Sequence, residues 1–455
     1  MNLPAETPAI HCSRALLPDG WAREVRLRIA HGKFAGVERG VAAQPGDERV
    51  AVAVPGMSNV HSHGFQRGMA GLTEYRGPEA DNFWSWRELM YRFVARMTPD
   101  DIEAITAQAY VDMLEGGFTR VGEFHYVHHE ADGRPYANPA EMAARIAAAA
   151  ETAGIALTLL PVFYAHGNFG GVPPTPGQRR FVTGLDQYAR LVEASGAQIA
   201  QLPDARLGVA PHSLRAVSPE ELQHVVALVP GAPVHIHAAE QTREVEECMA
   251  WSGSRPVQWL LDHADVNAHW CLVHATHMTD AEIARLARSG AVAGFCPVTE
   301  ANLGDGIAPA ASFMRAGGTV GIGTDSNVRI SVSEELRQLE YSQRLRDRAR
   351  NVLAEQSAHS TGRTLFAASH RGGERALGAG PAPIGLAEGA SADCLALDAD
   401  EPAAQGDMWL DRFVFADVGI RDAWRAGRRV VADGRHFARA GVHARYRAAL
   451  GRLLE

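Results

Sequence analysis

Lysine is the residue this chain most nearly does without: of its 44 Lys and Arg residues only Lys33 is a lysine. Cysteine is sparse as well. Cys12, Cys248, Cys271, Cys296 and Cys394 are odd in number, scattered, and form no CxxC pair. A disulfide framework is therefore not expected, and a reducing cytoplasm is the expected compartment. No run of about 18 apolar residues occurs, which excludes a membrane-spanning helix. The opening MNLPAETPAIHCSR has neither the charged start nor the apolar stretch of a secretory signal. With 53 acidic residues and a net charge of −9, the chain has no general attraction for nucleic acid or anionic lipid, so neither is an expected partner. An anionic ligand would need dedicated local cations. There is no Walker loop, and no GxGxxG opens a helix after a strand, so phosphate and redox-cofactor chemistry find no support. What remains is an ordinary globular composition over 455 residues, 46% hydrophobic and 21% charged, enough for one large domain and a smaller one. Histidine is in excess at 20 residues, many in short clusters.

Residues 1–55 read as short strands separated by turn signals at Pro18-Asp19-Gly20 and His31-Gly32. The end of the chain reads similarly, with ADCLALD, FVFAD and RRVVADG as strand candidates. A small β-sandwich domain built from both termini, residues 1–55 and 376–455, is expected, because chain ends often lie close together. Between them, over 56–375, apolar strand-like runs alternate with Ala- and Glu-rich helical stretches, the pattern of βα units on a parallel sheet. Eight strands are predicted at 52–61, 118–123, 156–162, 206–211, 233–237, 270–274, 291–296 and 319–325. Helices are predicted at 99–115, 139–153, 218–229, 241–250, 279–289 and 334–354. The fold class is α/β, a (β/α)8 TIM barrel with insertions at 64–98 and 163–205.

Polar residues recur at one place in this pattern. His61 and His63 end the first barrel strand, His235 and His237 the fifth, His274 the sixth and Asp325 the eighth. Strand C-termini of such a barrel converge on one mouth, where active sites lie. Residues i and i+2 of a strand share a face. Histidines of the first and fifth strands, with the aspartate of the eighth, can therefore surround one metal ion. A lone barrel histidine is more often a hydrogen-bonding core residue; a whole set at strand ends in barrel order is not explained that way.

On the motifs PGMSNVHSH (55–63), HIHAAE (235–240), VHAT (273–276) and GTDS (323–326), and the return segment GLAEGASADCLALD (385–398), the sequence resembles the amidohydrolase superfamily of metal-dependent (β/α)8 hydrolases over nearly its whole length. One type of centre in that superfamily bridges two metals with a carboxylated lysine at strand four. Lys33 precedes the barrel, so the resemblance implies a mononuclear centre of the deaminase branch. Its implied ligands are His61, His63, His237 and Asp325, with His235 left out, around one divalent metal. Zinc is the expected ion, and Fe(II) or Mn(II) could substitute. The implied chemistry is hydrolytic deamination at a C=N carbon with Glu240, His274 and Asp325 as catalytic residues. The metal makes hydroxide available near neutral pH. Asp325 accepts the water proton, Glu240 carries a proton to the departing nitrogen, and His274 orients the hydroxide or polarises the reacting carbon.

The long aromatic segment GFQRGMAGLTEYRGPEADNFWSWRELMYRF (64–93), with APHSLR (210–215) ending strand four, resembles the formimidoylglutamate deiminases of histidine degradation. That resemblance implies conversion of N-formimino-L-glutamate and water to N-formyl-L-glutamate and ammonia. Arginine pairs with carboxylates bidentately, which suits a dicarboxylate bound by a net-acidic chain. Arg215 and His212 are expected on one carboxylate, and Arg87, Gln66 and Tyr126 on the other, with Arg67, Arg76 and Arg329 as substitutes. Phe83, Trp84 and Trp86 close over the substrate, or equally anchor the loop or a dimer contact. His128, His129 and His166 read as loop histidines. Two other readings stay open. A related deaminase of a heterocycle, such as guanine or an adenosine derivative, would need a ring-sized pocket without paired arginines. A metal-free scaffold relative would be expected to have lost ligands. By analogy with such barrels, a homodimer is expected.

Overall fold

The computed structural model describes residues 3–76, 81–354, 356, 359–380, 383–399, 405–416 and 418–455. The N-terminal strands β1 (Ala9–Leu17), β2 (Gly20–Ala30), β3 (Lys33–Arg39) and β4 (Glu48–Pro55) follow one another through short turns. The β2–β3 turn is His31-Gly32, both residues with positive φ (53° and 73°), the two-residue geometry whose twist matches that of the flanking strands.

Barrel strands follow: β5 (Met57–Ser62), β6 (Phe118–His125), β7 (Ala156–Phe163), a broken fourth strand made of β8 (Arg206–Leu207) and β9 (Ala210–Pro211), then β10 (Val234–Ala238), β11 (Trp270–His274), β12 (Val292–Phe295) and β13 (Thr319–Ile322). They pair in parallel as β5-β6-β7-β8 and β10-β11-β12-β13. Parallel bridges Ser62–Asp325, Val209–Val234 and Ser213–His237 close the two arcs into one ring. Strands β5, β6, β7, β10 and β11 are buried at every position, as strands covered on both faces must be. Seven lie where the apolar runs predicted them; the first, predicted at 52–61, divides at Gly56 between β4 of the terminal sheet and β5 of the barrel.

The strands β14 (Cys394–Leu397), β15 (Ile420–Arg425), β16 (Arg428–Ala432) and β17 (Arg435–His436) return to the first four. The order is β17-β16-β15-β14-β4-β1-β2-β3, a single hydrogen-bonded sheet from both termini. Its enclosed core includes Ile10, Val25, Leu27, Phe34 and Trp424, and Lys33 of β3 bridges back to Ser391. The two termini thus build one continuous eight-stranded sheet.

Two further local expectations are corrected. FVFAD is not a strand: its first four residues belong to the helix Met408–Phe415 and its end, and Asp417 lies outside the described residues. Trp409, Leu410, Phe413 and Val414 are the buried positions there, a helical spacing that outweighs the β-prone composition. The helix predicted at 334–354 spans Val332–Asp347 and stops at Arg348, whose φ is 53°. The insertions hold helices of their own: 64–98 carries Phe83–Val94 and 163–205 carries Leu185–Ile199. Asn82 starts the former, its side chain accepting from the N–H groups of Trp84 and Ser85.

The helix Thr361–Ala376 seals the bottom of the barrel. A Cβ on Gly372 would strike the Val320 carbonyl, and one on Gly373 would crowd Ser58, so only glycine permits this approach. After β17 the chain ends in a helix, Arg439–Leu454, which lies along Pro99–Glu115. Arg445 pairs there with Glu103 at 2.6 Å, and Arg452 with Asp101.

Candidate active site

The open mouth of the ring collects the strand-end residues. His61 and His63 leave β5, His237 leaves β10, and Asp325 follows β13. The Nε2 of His61 lies 3.2 Å from that of His63 and 3.1 Å from that of His237. Asp325 Oδ1 is 3.3 Å from His63 Nε2 and 3.5 Å from His61 Nε2. The Nδ1 of His63 donates to the Phe124 carbonyl at 2.8 Å, and that of His237 to the His212 carbonyl at 3.0 Å. A carbonyl only accepts, so both rings carry their proton on Nδ1 and aim an Nε2 lone pair at the centre. One proton on His61 can satisfy only one of these lone pairs. A cation at their convergence satisfies them all, so the donor set fits a divalent metal.

Burial keeps the imidazoles neutral. It pushes His61 down to about 3 and lowers His63 and His237 likewise, the protonation state that metal binding requires. Burial opposes the charge of Asp325, but the hydrogen bond and charge of His61, with His63 and His274, hold its carboxyl well below the usual range. The β5–β13 seam is stitched by Asn59, which donates to Thr324 Oγ1 at 2.7 Å, and by Asn327, which donates to the His63 and Asp325 carbonyls at 3.1 Å. Asp325 and His274 both have left-handed backbone, φ 44° and 69°, a costly conformation that persists where surrounding bonds dictate it.

Glu240 and His274 sit beside this cluster. Burial pushes the Glu240 carboxyl up to about 7. His274 is also buried, which disfavours its charge, but Glu240, Glu300 and Asp325 outweigh that and raise it to about 10. Its Nδ1 faces Glu300 Oε1 at 3.3 Å, and its Nε2 faces Glu240 and Asp325, each at 3.7 Å. Glu300 was not singled out in the sequence. Its signal was an acid in the first turn after strand seven, too common a feature to select. His235 turns away from the mouth and donates to the Ala376 carbonyl at 2.8 Å.

All five residues expected on substrate line the same cavity as Glu240, His274 and Asp325. Gln66 donates to Tyr126 Oη at 2.8 Å, leaving its own Oε1 unpartnered, and the Tyr126 ring lies 5.0 Å from that of His63. His212 packs 4.9 Å from His237. Arg87 and Arg215 gather at the Trp84 indole, 4.5 and 5.9 Å from its centroid. Arg87 Nε and Arg215 Nη1 are buried without a partner. The substitute arginines are engaged elsewhere or lie outside the lining: Arg67 with Asp112 at 2.9 Å, Arg329 with Glu334 at 2.6 Å, Arg76 in an outer depression. Phe83 and Trp86 line the cavity; so do Met90, Tyr91, Tyr164 and Phe181, which the sequence reading missed. For Met90 and Tyr91 a signal existed: with Phe83, Trp86 and Arg87 they fall at helical i, i+3 and i+4 spacings. His128 and His129 donate to the Val162 and Val182 carbonyls, and His166 pairs with Glu221.

Known proteins resemble this chain over much of its length. The amidohydrolase family model matches residues 52–430. The chain belongs to the amidohydrolase family. A second model, the N-terminal domain of formimidoylglutamate deiminase HutF, matches residues 7–51. A Pseudomonas aeruginosa protein named formimidoylglutamate deiminase is 52% identical over 98% of this chain and all of its own length. A 5-methylthioadenosine/S-adenosylhomocysteine deaminase of Natronomonas pharaonis is 30% identical over 78% of this chain and 75% of its own. Among solved structures, an amidohydrolase from Brucella melitensis superposes with a TM-score of 0.96 at 58% identity, covering 98% of this chain and all of that one. An adenosine deaminase from Xanthomonas campestris with bound zinc shares the fold at a TM-score of 0.80 and 22% identity, covering 98% of each chain. The family is metal-dependent, and no helix among the described residues is long and apolar enough to cross a membrane.

Proposed function

We propose that this protein hydrolyses N-formimino-L-glutamate to N-formyl-L-glutamate and ammonia. The observation that carries the reading is a cavity that joins a cluster of metal-ligand type to two arginines with unpartnered N–H groups. Full-length identity of 52% to a protein named formimidoylglutamate deiminase supports it.

His61, His63, His237 and Asp325 would hold one divalent ion, zinc by expectation. When bound, that ion supplies the Lewis acidity that makes water nucleophilic near neutral pH. Water adds to the formimino carbon, and the bond from that carbon to its terminal nitrogen breaks once the nitrogen is protonated. Glu240, buried and pushed up to about 7, can take a proton at its carboxylate and return it to that nitrogen. Asp325 takes part in removing the proton from water. His274, kept cationic by its carboxylate neighbours, presents Nε2–H to the reacting centre. Arg215 with His212 would take one substrate carboxylate, and Arg87 with Gln66 and Tyr126 the other. Phe83 and Trp86 exclude water above them. A heterocyclic substrate would leave the buried Arg87 Nε and Arg215 Nη1 without acceptors, a cost that disfavours that reading. A cytoplasmic homodimer, with a barrel domain at 56–375 and a β domain at 1–55 and 376–455, completes the proposal.

Ammonia release by the zinc-loaded protein tests it, with N-formimino-L-glutamate and guanine assayed in parallel. Turnover of the first alone is expected. Turnover of guanine alone, or of neither with metal bound, would overturn the dicarboxylate reading.

A further inference from the structure

Four residues beyond Glu240, in the first turn of the helix Thr242–Ser252, Glu244 is completely buried. The residue that starts this helix, Gln241, makes no side-chain cap bond. Glu244 instead reaches past it. One carboxylate oxygen accepts the backbone N–H of Ala239 at 3.2 Å, and the other that of Glu240 at 3.0 Å. Ala239 has left-handed backbone, φ 53°, which a residue with a Cβ holds only where its surroundings impose it. The peptide from which the Glu240 side chain springs is therefore clamped by a buried carboxylate. Two successive N–H groups thus share one carboxylate.

Glu244 also acts on the charge of Arg215. Burial disfavours the guanidinium charge, and Glu244 is foremost among the charges that restore it. Arg215 nevertheless keeps its N–H groups largely free: it meets Ser213 Oγ at 3.4 Å, and its Nη1 has no partner. Glu244 spends its oxygens on the backbone, so it compensates the charge without occupying the donors that a carboxylate ligand would need.

We propose that Glu244 is a positioning residue for the deamination: it fixes the backbone that aims Glu240 and supplies the counter-charge that keeps Arg215 open for substrate. This rests on reading Glu240 as the proton carrier.

A cycle of variants in the zinc-loaded, full-length protein tests it, read as kcat and KM for N-formimino-L-glutamate with bound metal counted per chain. Glu244→Asp keeps the charge but falls a methylene short of the two N–H groups. It is expected to lower kcat about 10–100-fold, with KM within about threefold and metal content unchanged. Glu244→Gln removes the charge and one acceptor, and is expected to lower kcat and also raise KM. In a Glu240→Gln background neither change should lower kcat further, because Glu244 then has no proton carrier to aim. An equal further loss in that background would mark a general structural role and overturn the proposal. Wild-type kcat in Glu244→Asp would overturn it too, and that variant decides the matter if Glu244→Gln does not fold. If Glu240→Gln keeps wild-type kcat, the proton-carrier reading itself fails, an outcome distinct from failure at Glu244.

Discussion

The guanidinium of Arg87 lies 4.5 Å over the indole of Trp84. Both stand on the helix Phe83–Val94, and Arg243 covers the same indole from the helix after strand five, also at 4.5 Å. The ring thus ties the inserted helix to the barrel mouth and gives Arg87 a flat surface to rest on. Cation–π contacts of this type contribute about 0.5–2 kcal/mol. Trp84→Leu should therefore raise KM for N-formimino-L-glutamate from a few-fold to about thirtyfold, with kcat changed less, and Trp84→Phe should recover part of the loss. Steady-state kinetics check it; an unchanged KM would detach Trp84 from substrate binding.

Arg215 is buried with an unpartnered Nη1, so that donor is open to a ligand carboxylate. Arg215→Lys offers a point charge in place of a bidentate fork and should raise KM about 10–100-fold, the value of one charged hydrogen bond or slightly more. Arg215→Met should raise KM further and lower stability by about 3 kcal/mol, because it leaves the buried Glu244 without its counter-charge. An unchanged or higher Tm for Arg215→Met would mean that Glu244 does not depend on the guanidinium.

Glu300 keeps His274 charged. Its Oε1 faces His274 Nδ1 at 3.3 Å and accepts the Cys296 N–H at 2.8 Å. With the carboxylates in place His274 is raised to about 10, so activity that needs the imidazolium persists to alkaline pH. Glu300→Gln removes one anion and lowers that pKa. The alkaline limb of kcat/KM should then move down by about one pH unit or more, while the acid limb stays put. A pH–rate profile of the two proteins decides.

Glu240 should cost the fold stability at alkaline pH. Its folded-state carboxyl is pushed up to about 7 by burial, above its unfolded value near 4.5. Between those values the folded state binds a proton that the unfolded state does not, so stability rises as pH falls from about 7 towards 4.5 and is lowest above 7. Glu240→Gln removes the charge and should stabilise the protein at pH 8 by about 1–3 kcal/mol, with little gain at pH 5, while reducing activity by at least about a hundredfold. Thermal melts at the two pH values test the sign; an equal Tm shift at both would refute the burial cost.

Much of the site was legible because its chemistry sits at strand ends. The βα alternation located His61, His63, His237, His274 and Asp325, and Lys33 by its position excluded a strand-four lysine. Glu244 and Glu300 were illegible because each acts through contacts across helix–strand corners, and an acid in a first helical turn is ordinary in sequence. FVFAD misled because short apolar runs fit either period until packing selects one.

Composition and periodicity by themselves determined the barrel and the residue types gathered at its mouth, since the period of two fixes which residues share a strand face. They could not separate His235 from His237, which share one. Two residues along a strand is about 6.6 Å of depth. At that depth His235 meets the Ala376 carbonyl at the sealed end, while His237 reaches the cluster. Depth along the barrel axis, like the closeness of Arg87 and Arg215, from helix and loop far apart in the chain, at one indole, exists only once the ring has closed.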